Sequence, residues 1–230
     1  MKMKTLIQSV AAFGLLISSA VAVETAQAAS NELPKTTTDG LVLQPDTKLR
    51  AVYLKPGASL AGYDKVALVD CFVSFKKNWQ REYNEDASFD MRVSNEDMKK
   101  IKERVANEFK AVFTKELEAG GYQIVDTAAE DVLVVRPAII NLVVTAPDTM
   151  SPGMEQSFAA SAGEMTLYME LYDSVSNDII ARVIDPEADR GPGGVANRVT
   201  NKVAADRLLK MWADTLRDHL GAVKAANTGS

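Results

Sequence analysis

Glu164 to Asp185 reads EMTLYMELYDSVSNDIIARVID, and its pattern decides the fold. Met165, Leu167, Met169 and Leu171 alternate with Thr166, Tyr168, Glu170 and Tyr172. A strand here has one apolar face and one polar-aromatic face, because successive side chains point to opposite sides. Asp173 to Asp178 (DSVSND) is rich in residues that bond their own backbone in turns. Ile179 to Ile184 then returns as an antiparallel hairpin partner. The apolar face of this hairpin requires a covering layer.

Two amphipathic helices can supply that layer. Met98, Ile101, Val105, Phe109, Val112, Phe113 and Leu117 recur at helical spacing. Ser94 and Asp97 form the start signal of a capping box, and Glu96 with Lys100 is spaced for an i,i+4 pair. Gly120-Gly121 supplies the stop, since glycine accepts the left-handed cap conformation. The second helix is expected from Ala196 to Leu220, with Val199, Val203, Leu208, Leu209, Trp212, Leu216 and Leu220 inward and Gly221 as its cap.

Further strands are expected at Leu49–Leu54, a short edge strand ended by Pro56-Gly57, and at Lys65–Phe75, a central strand covered on both faces. Others are expected at Tyr122–Asp126 and Asp131–Thr145, where Pro137 marks a bulge or an edge. The order ββαββββα predicts an α+β fold: a two-layer sandwich whose mixed, mostly antiparallel sheet carries both helices on one face. Should the strands at 65–75 and 122–126 lie parallel, the crossover between them is expected to be right-handed.

The start of the chain has a different character. Lys2 and Lys4 precede the apolar run Val10–Ile17, and Ala26-Gln27-Ala28 offers a small-x-small cleavage pattern. Residues 1–28 are therefore expected to be a signal peptide cut after Ala28, with Ala22 as the alternative cut, and the protein to be exported to the periplasm. Gly14, Ser18 and Ser19 interrupt the apolar run, which is too short for a membrane span. No transmembrane span is expected after cleavage. No cysteine follows the signal region, so no lipid anchor of that kind is expected. Residues 29–48 are expected as an extended, partly mobile lead-in, 49–221 as a single domain, and 222–230 as a frayed tail.

Composition narrows the chemistry. A formal net charge of −5 provides no global attraction to nucleic acid. Cys71, the single cysteine, lies in an apolar run and is expected to be a buried hydrophobe. His219, the single histidine, is expected to cap the last turn of a helix. No zinc spacing and no nucleotide-loop or nucleophile-elbow pattern is present, so no metal, cofactor or catalytic residue is assigned. Gly191-Pro192-Gly193-Gly194 reads as a loop. Asp185, Glu187 and Asp189 read as a solvated loop, since a calcium loop also needs its glycine and bidentate glutamate at fixed offsets.

Two patches are candidates for partner binding. Residues 76–92 (KKNWQREYNEDASFDMR) break the strand pattern and read as a long surface loop. Trp79, Arg81 and Tyr83 within it are of the residue types that dominate interface energetics. Alternatively, Trp79 folds back onto the core. Tyr168 and Tyr172, on the polar face of their strand, form the second patch, either open or beneath residues 146–163.

The chain resembles the domain-of-unknown-function 3313 family of exported bacterial envelope proteins, roughly from Asp39 to Leu220. The resemblance rests on Gly62-Tyr63-Asp64-Lys65-Val66, on Asp131 to Ile139 (DVLVVRPAI), on Glu170 to Asn177 (ELYDSVSN) and on Val183-Ile184-Asp185. It implies an envelope location and no particular reaction. The functional expectation is a non-catalytic periplasmic binding or envelope-accessory protein, with an envelope protein or glycan as partner. The alternatives are a hydrolase of envelope polymers using carboxylates such as Glu170 and Asp173, and a carrier of an apolar ligand.

Overall fold

A computed structural model describes residues 33–145, 157–159, 163–188, 194–196 and 198–228. The elements are β1 (Val42–Leu43), β2 (Ala51–Leu54), β3 (Lys65–Leu68), β4 (Phe72–Phe75), α1 (Trp79–Asp86) and a single 3-10 turn (Phe89–Met91). There follow α2 (Asn95–Ala119), β5 (Gln123–Ile124), β6 (Val132–Val144), β7 (Ser157–Ala159), β8 (Gly163–Asp173), β9 (Ile179–Ala188), β10 (Gly194–Ala196) and α3 (Arg198–Thr228). The main sheet has the order β1-β2-β9-β8-β6-β3-β5, and β4 also pairs with β6. β3 runs parallel to β5 and β6, β4 runs parallel to β6, and the remaining pairs are antiparallel. β7 and β10 pair separately. The fold is the expected α+β type with a mixed sheet.

The period-2 pattern of β8 places Met165, Leu167, Met169 and Leu171 in the core with Val135, Ile139 and Val183 of its neighbours. Phe109, Phe113 and Leu117 of α2 and Leu209, Trp212 and Leu216 of α3 pack into the same core. Both long helices thus cover one sheet face. Removing this apolar surface from water is the main driving force for the fold. Glu116 of α2 ties the helices together, accepting from Lys210 Nζ (2.7 Å) and Arg217 Nη1 (2.6 Å).

The helix signals act as their chemistry dictates. Ser94 and Asp97 form a reciprocal capping box. At the other end, Tyr122 N–H donates to Leu117 O (3.0 Å) and Gly121 N–H donates to Glu118 O (2.9 Å). Gly121 holds φ at +82°, so this is the left-handed stop that glycine permits without a Cβ penalty.

Several expectations are corrected. Lys65–Phe75 is not one strand but two, interrupted at Val69-Asp70-Cys71. The reason lies in the neighbouring strand. Val135 O accepts from Val69 N–H (2.9 Å), so Val135 turns its backbone towards β3 and β4, and Pro137, two residues on, turns the same way. Pro137 has no N–H to donate, and one extra residue in the facing chain spans the gap between the pairs Leu68↔Val135 and Phe72↔Ala138. Pro137 itself stays in register with Met169. The β6–β8 register shifts only between Ile140 and Val143, where Asn141 takes φ 53°.

The segment 76–92 is mostly helical, not a loop. Trp79 and Tyr83 lie one turn apart and stack, as do Phe75 and Trp79. Asn84 exchanges hydrogen bonds with the backbone of Val93, tying α1 to the start of α2.

Residues 33–48 do not form a loose lead-in. Leu41 is fully buried with Ala51 and Tyr53 in a second apolar cluster. β1 is the edge strand, which makes β2 internal between β1 and β9. β9 continues past Ile184 to Ala188, with Asp185 inside the protein rather than in a loop. Asp185 is 3% exposed and accepts from Trp212 Nε1 and from Arg50 N–H, both at 2.7 Å. α3 runs through Gly221 to Thr228, so the expected tail is largely helical, and Lys224 pairs with Asp64. His219 is therefore an exposed residue within the helix, not in its last turn. Residues 1–32, residues 146–156 and 160–162 of the segment considered as a cover for Tyr168 and Tyr172, Asp189 and the Gly191–Gly193 stretch lie outside the described residues.

Candidate functional site

The sheet face opposite the helices carries the polar half of β8. Register places its residues in rows. Ala67, Val134, Tyr172 and Ile179 form one row. Arg136, Glu170, Arg182 and Tyr53 form the next, and Phe72, Ala138, Tyr168, Ile184 and Ala51 the third. Glu170 is the hub. Its Oε1 accepts from Tyr168 OH (2.7 Å) and from Arg182 Nε and Nη2 (2.9 and 2.8 Å), and its Oε2 accepts from Tyr172 OH (2.6 Å). Arg182 also grips Asp39 through Nη1 (3.1 Å) and Nη2 (2.6 Å).

The electrostatics follow from these contacts. Burial opposes ionisation of Glu170, but the hydrogen bonds from Tyr172, Tyr168 and Arg182 outweigh it and hold the carboxyl below its ordinary value. Asp39 is lowered to about 2, chiefly by its hydrogen bond from Arg182. Tyr168 is pushed up to about 12 by burial and then by its bond to Glu170. Both phenols are thus committed as donors to Glu170.

Arg136 differs from its neighbours. It is exposed, and its guanidinium lies over the Tyr172 ring, 5.0 Å from the centroid. Among the described residues it has no hydrogen-bonding or ion-pair partner. Phe72, in the adjoining row, is 64% exposed. The expectation that both faces of this strand would be covered is therefore corrected at Phe72, whose side chain sits on the open face. The rest of that face, towards β2, lies beneath residues 33–43, whose Leu41 fills the second apolar cluster.

Of the five partner-binding candidates, the structure brings together Tyr168 and Tyr172, half-buried around Glu170. It does not bring together the other three as one surface. Trp79 is 5% exposed, and Arg81, two residues on, points away from the stacked rings and pairs with Glu85 (3.6 Å). Sequence reasoning missed Phe72, Arg182 and Asp39, and met Arg136 only as part of a family segment. The signal for Phe72 was parity: one extra residue at the break in the strand reverses which residues face the core.

Asp173, considered as a partner for Glu170 in hydrolysis, has another task. Its Oδ1 accepts from Val175 and Ser176 N–H and its Oδ2 from Tyr63 OH, so it locks the hairpin turn. The backbone bond from Ser176 and the Tyr63 hydroxyl hold it at about 2. Ser174 bonds the backbone of Ala129, and Lys65 pairs with Asp131. The segments Gly62–Val66, Asp131–Ile139 and Glu170–Asn177 therefore meet at one end of the sheet as a structural fastening.

Fold and face together define a two-layer α+β protein with an aromatic and cationic patch on the part of its sheet that the described residues leave uncovered. The chain belongs to the family described as "Protein of unknown function (DUF3313)", whose model matches residues 39–216. No curated protein matches it. Among solved structures, a PelC dodecamer from Paraburkholderia phytofirmans is 16% identical, covers 71% of this chain and 96% of its own, and has a TM-score of 0.38. Protein XCC0632 from Xanthomonas campestris, assigned to DUF330, is 9% identical with coverages of 77% and 94% and a TM-score of 0.43. A minor lipoprotein from Acinetobacter baumannii is 9% identical with coverages of 68% and 94% and a TM-score of 0.33. Among the described residues, no helix is long and apolar enough to cross a membrane.

Proposed function

We propose that this is a non-catalytic accessory protein of the bacterial envelope, exported to the periplasm, which binds an envelope component through the open sheet face around Arg136 and Phe72. The observation that carries this reading is the contrast between Glu170 and Arg136. The carboxylate is saturated by four donated hydrogen bonds and held ionised, which suits it to positioning and not to proton transfer. The guanidinium beside it lies against an aromatic ring, is exposed, and has no hydrogen-bonding partner among the described residues. Asp173, itself accepting three hydrogen bonds, is a poor general acid at neutral pH, which weighs against the hydrolase alternative.

The test uses the mature chain and washed envelopes from the source cell. Retention in the envelope pellet should saturate, and the double variant Phe72→Ala, Arg136→Gln should remain in the supernatant with an unchanged unfolding midpoint. Equal retention of that variant overturns the reading. Export is tested separately by the N-terminus of the periplasmic protein, expected at or near Ala29.

A further inference from the structure

Resting on that reading of the open face, we propose that its ligand is an acidic glycan, a polymer of uronate-type sugars. Arg136 offers a planar, exposed guanidinium of the kind that pairs with a carboxylate through two parallel hydrogen bonds. Its stacking on Tyr172 limits the freedom it loses on binding. Phe72 presents an exposed ring in the next row, against which the C–H face of a sugar ring can pack. Tyr168 and Tyr172 have spent their hydroxyl protons on Glu170, so each phenol oxygen has only acceptor capacity left.

The face therefore calls for a ligand that carries a carboxylate, an apolar ring face and several hydroxyl donors together. A uronate sugar carries all three. An acidic peptide side chain satisfies Arg136 but donates nothing to the two phenol oxygens. The other cation in the same row, Arg182, is occupied by Glu170 and Asp39 and does not compete for the ligand. The rows spread these groups across β4, β6 and β8, an open surface along which a linear polymer can lie.

The experiment is calorimetric titration of the mature chain at fixed ionic strength with three probes: oligogalacturonate, its methyl ester and polyglutamate. Oligogalacturonate should bind. Esterification, which removes the charge and keeps the sugar, should weaken binding at least about tenfold, and Arg136→Gln should cause a similar loss. Phe72→Ala should weaken binding of both the acid and the ester. Unchanged affinity in Arg136→Gln, equal affinity for the ester, or Arg136-dependent binding of polyglutamate as tight as that of the glycan overturns the proposal. Should no glycan bind while the double variant still leaves the envelope pellet, the acidic-glycan assignment falls and the open face stands as the binding surface. Should the double variant also stay in the pellet, both fall.

Discussion

Asp39 and Arg182, 143 residues apart in the chain, meet through a two-pronged ion pair on the outer sheet face. The same guanidinium holds Glu170, so one arginine joins the segment before β1 to the hub of the polar face. The two halves of this arrangement should differ in strength. Glu170 is nearly buried, and losing Arg182 strands its charge, so Arg182→Ala is expected to cost about 2–3 kcal/mol. Asp39 is more open, and Asp39→Asn is expected to cost less than about 1 kcal/mol. Urea unfolding of both single variants and the double variant measures the coupling. An Arg182→Ala effect no larger than that of Asp39→Asn contradicts the arrangement.

Acid should loosen the same contact. Asp39 ordinarily titrates at 3.8 and is held at about 2 in the folded protein, and Glu170 is held below its ordinary 4.5. A carboxyl with a depressed folded value stabilises fully above its unfolded value and loses that contribution as pH falls towards the folded one. The stability gap between wild type and Asp39→Asn should therefore be present at about pH 5 and close by about pH 2. A gap that persists at the acid end counts against the ion pair.

Trp79 and Arg81 should behave oppositely. Trp79 is buried between Phe75 and Tyr83, so Trp79→Ala is expected to cost about 3–5 kcal/mol. Arg81→Ala, on the exposed side of α1, should stay within about 0.5 kcal/mol of wild type. Thermal melts decide between this and an aromatic surface patch, for which Trp79→Ala would be nearly silent.

Cys71 should react slowly. Burial pushes its thiol up to about 12, and the residue is closed off at the break between β3 and β4. Labelling with a thiol probe should accelerate strongly on unfolding, and Cys71→Ser should destabilise by placing a hydroxyl there. Labelling of the native protein at the unfolded rate rejects the placement.

The parts of the fold that were legible in the sequence are those with long local periodicity. The alternation of Met165 to Tyr172, the stripe of α2 and the Ser94 cap each depend on neighbours two to four residues away. What escaped depends on distant partners. Pro137 breaks the strand beside it and not its own, and that break sets the parity that exposes Phe72. Leu41 is buried only because β2 and β9 provide a seat for it, and Asp185 because Trp212 does. In α1, the stacking of Trp79 on Tyr83 was obscured by the charged residues between them. Of the candidate site, Tyr168 and Tyr172 were legible from strand alternation. Arg136, Arg182 and Asp39 were not, because their significance lies in cross-strand register and in a contact with the start of the domain.

The open face as a binding surface is tested most directly by replacing Phe72 with a photo-crosslinking benzoyl-phenylalanine in the full chain and irradiating whole cells. Val203, expected to face inward but 52% exposed on α3, serves as the control. The account predicts a discrete adduct from position 72 that disappears with Arg136→Gln, and none from position 203. No adduct at 72, or one indifferent to Arg136, would contradict it.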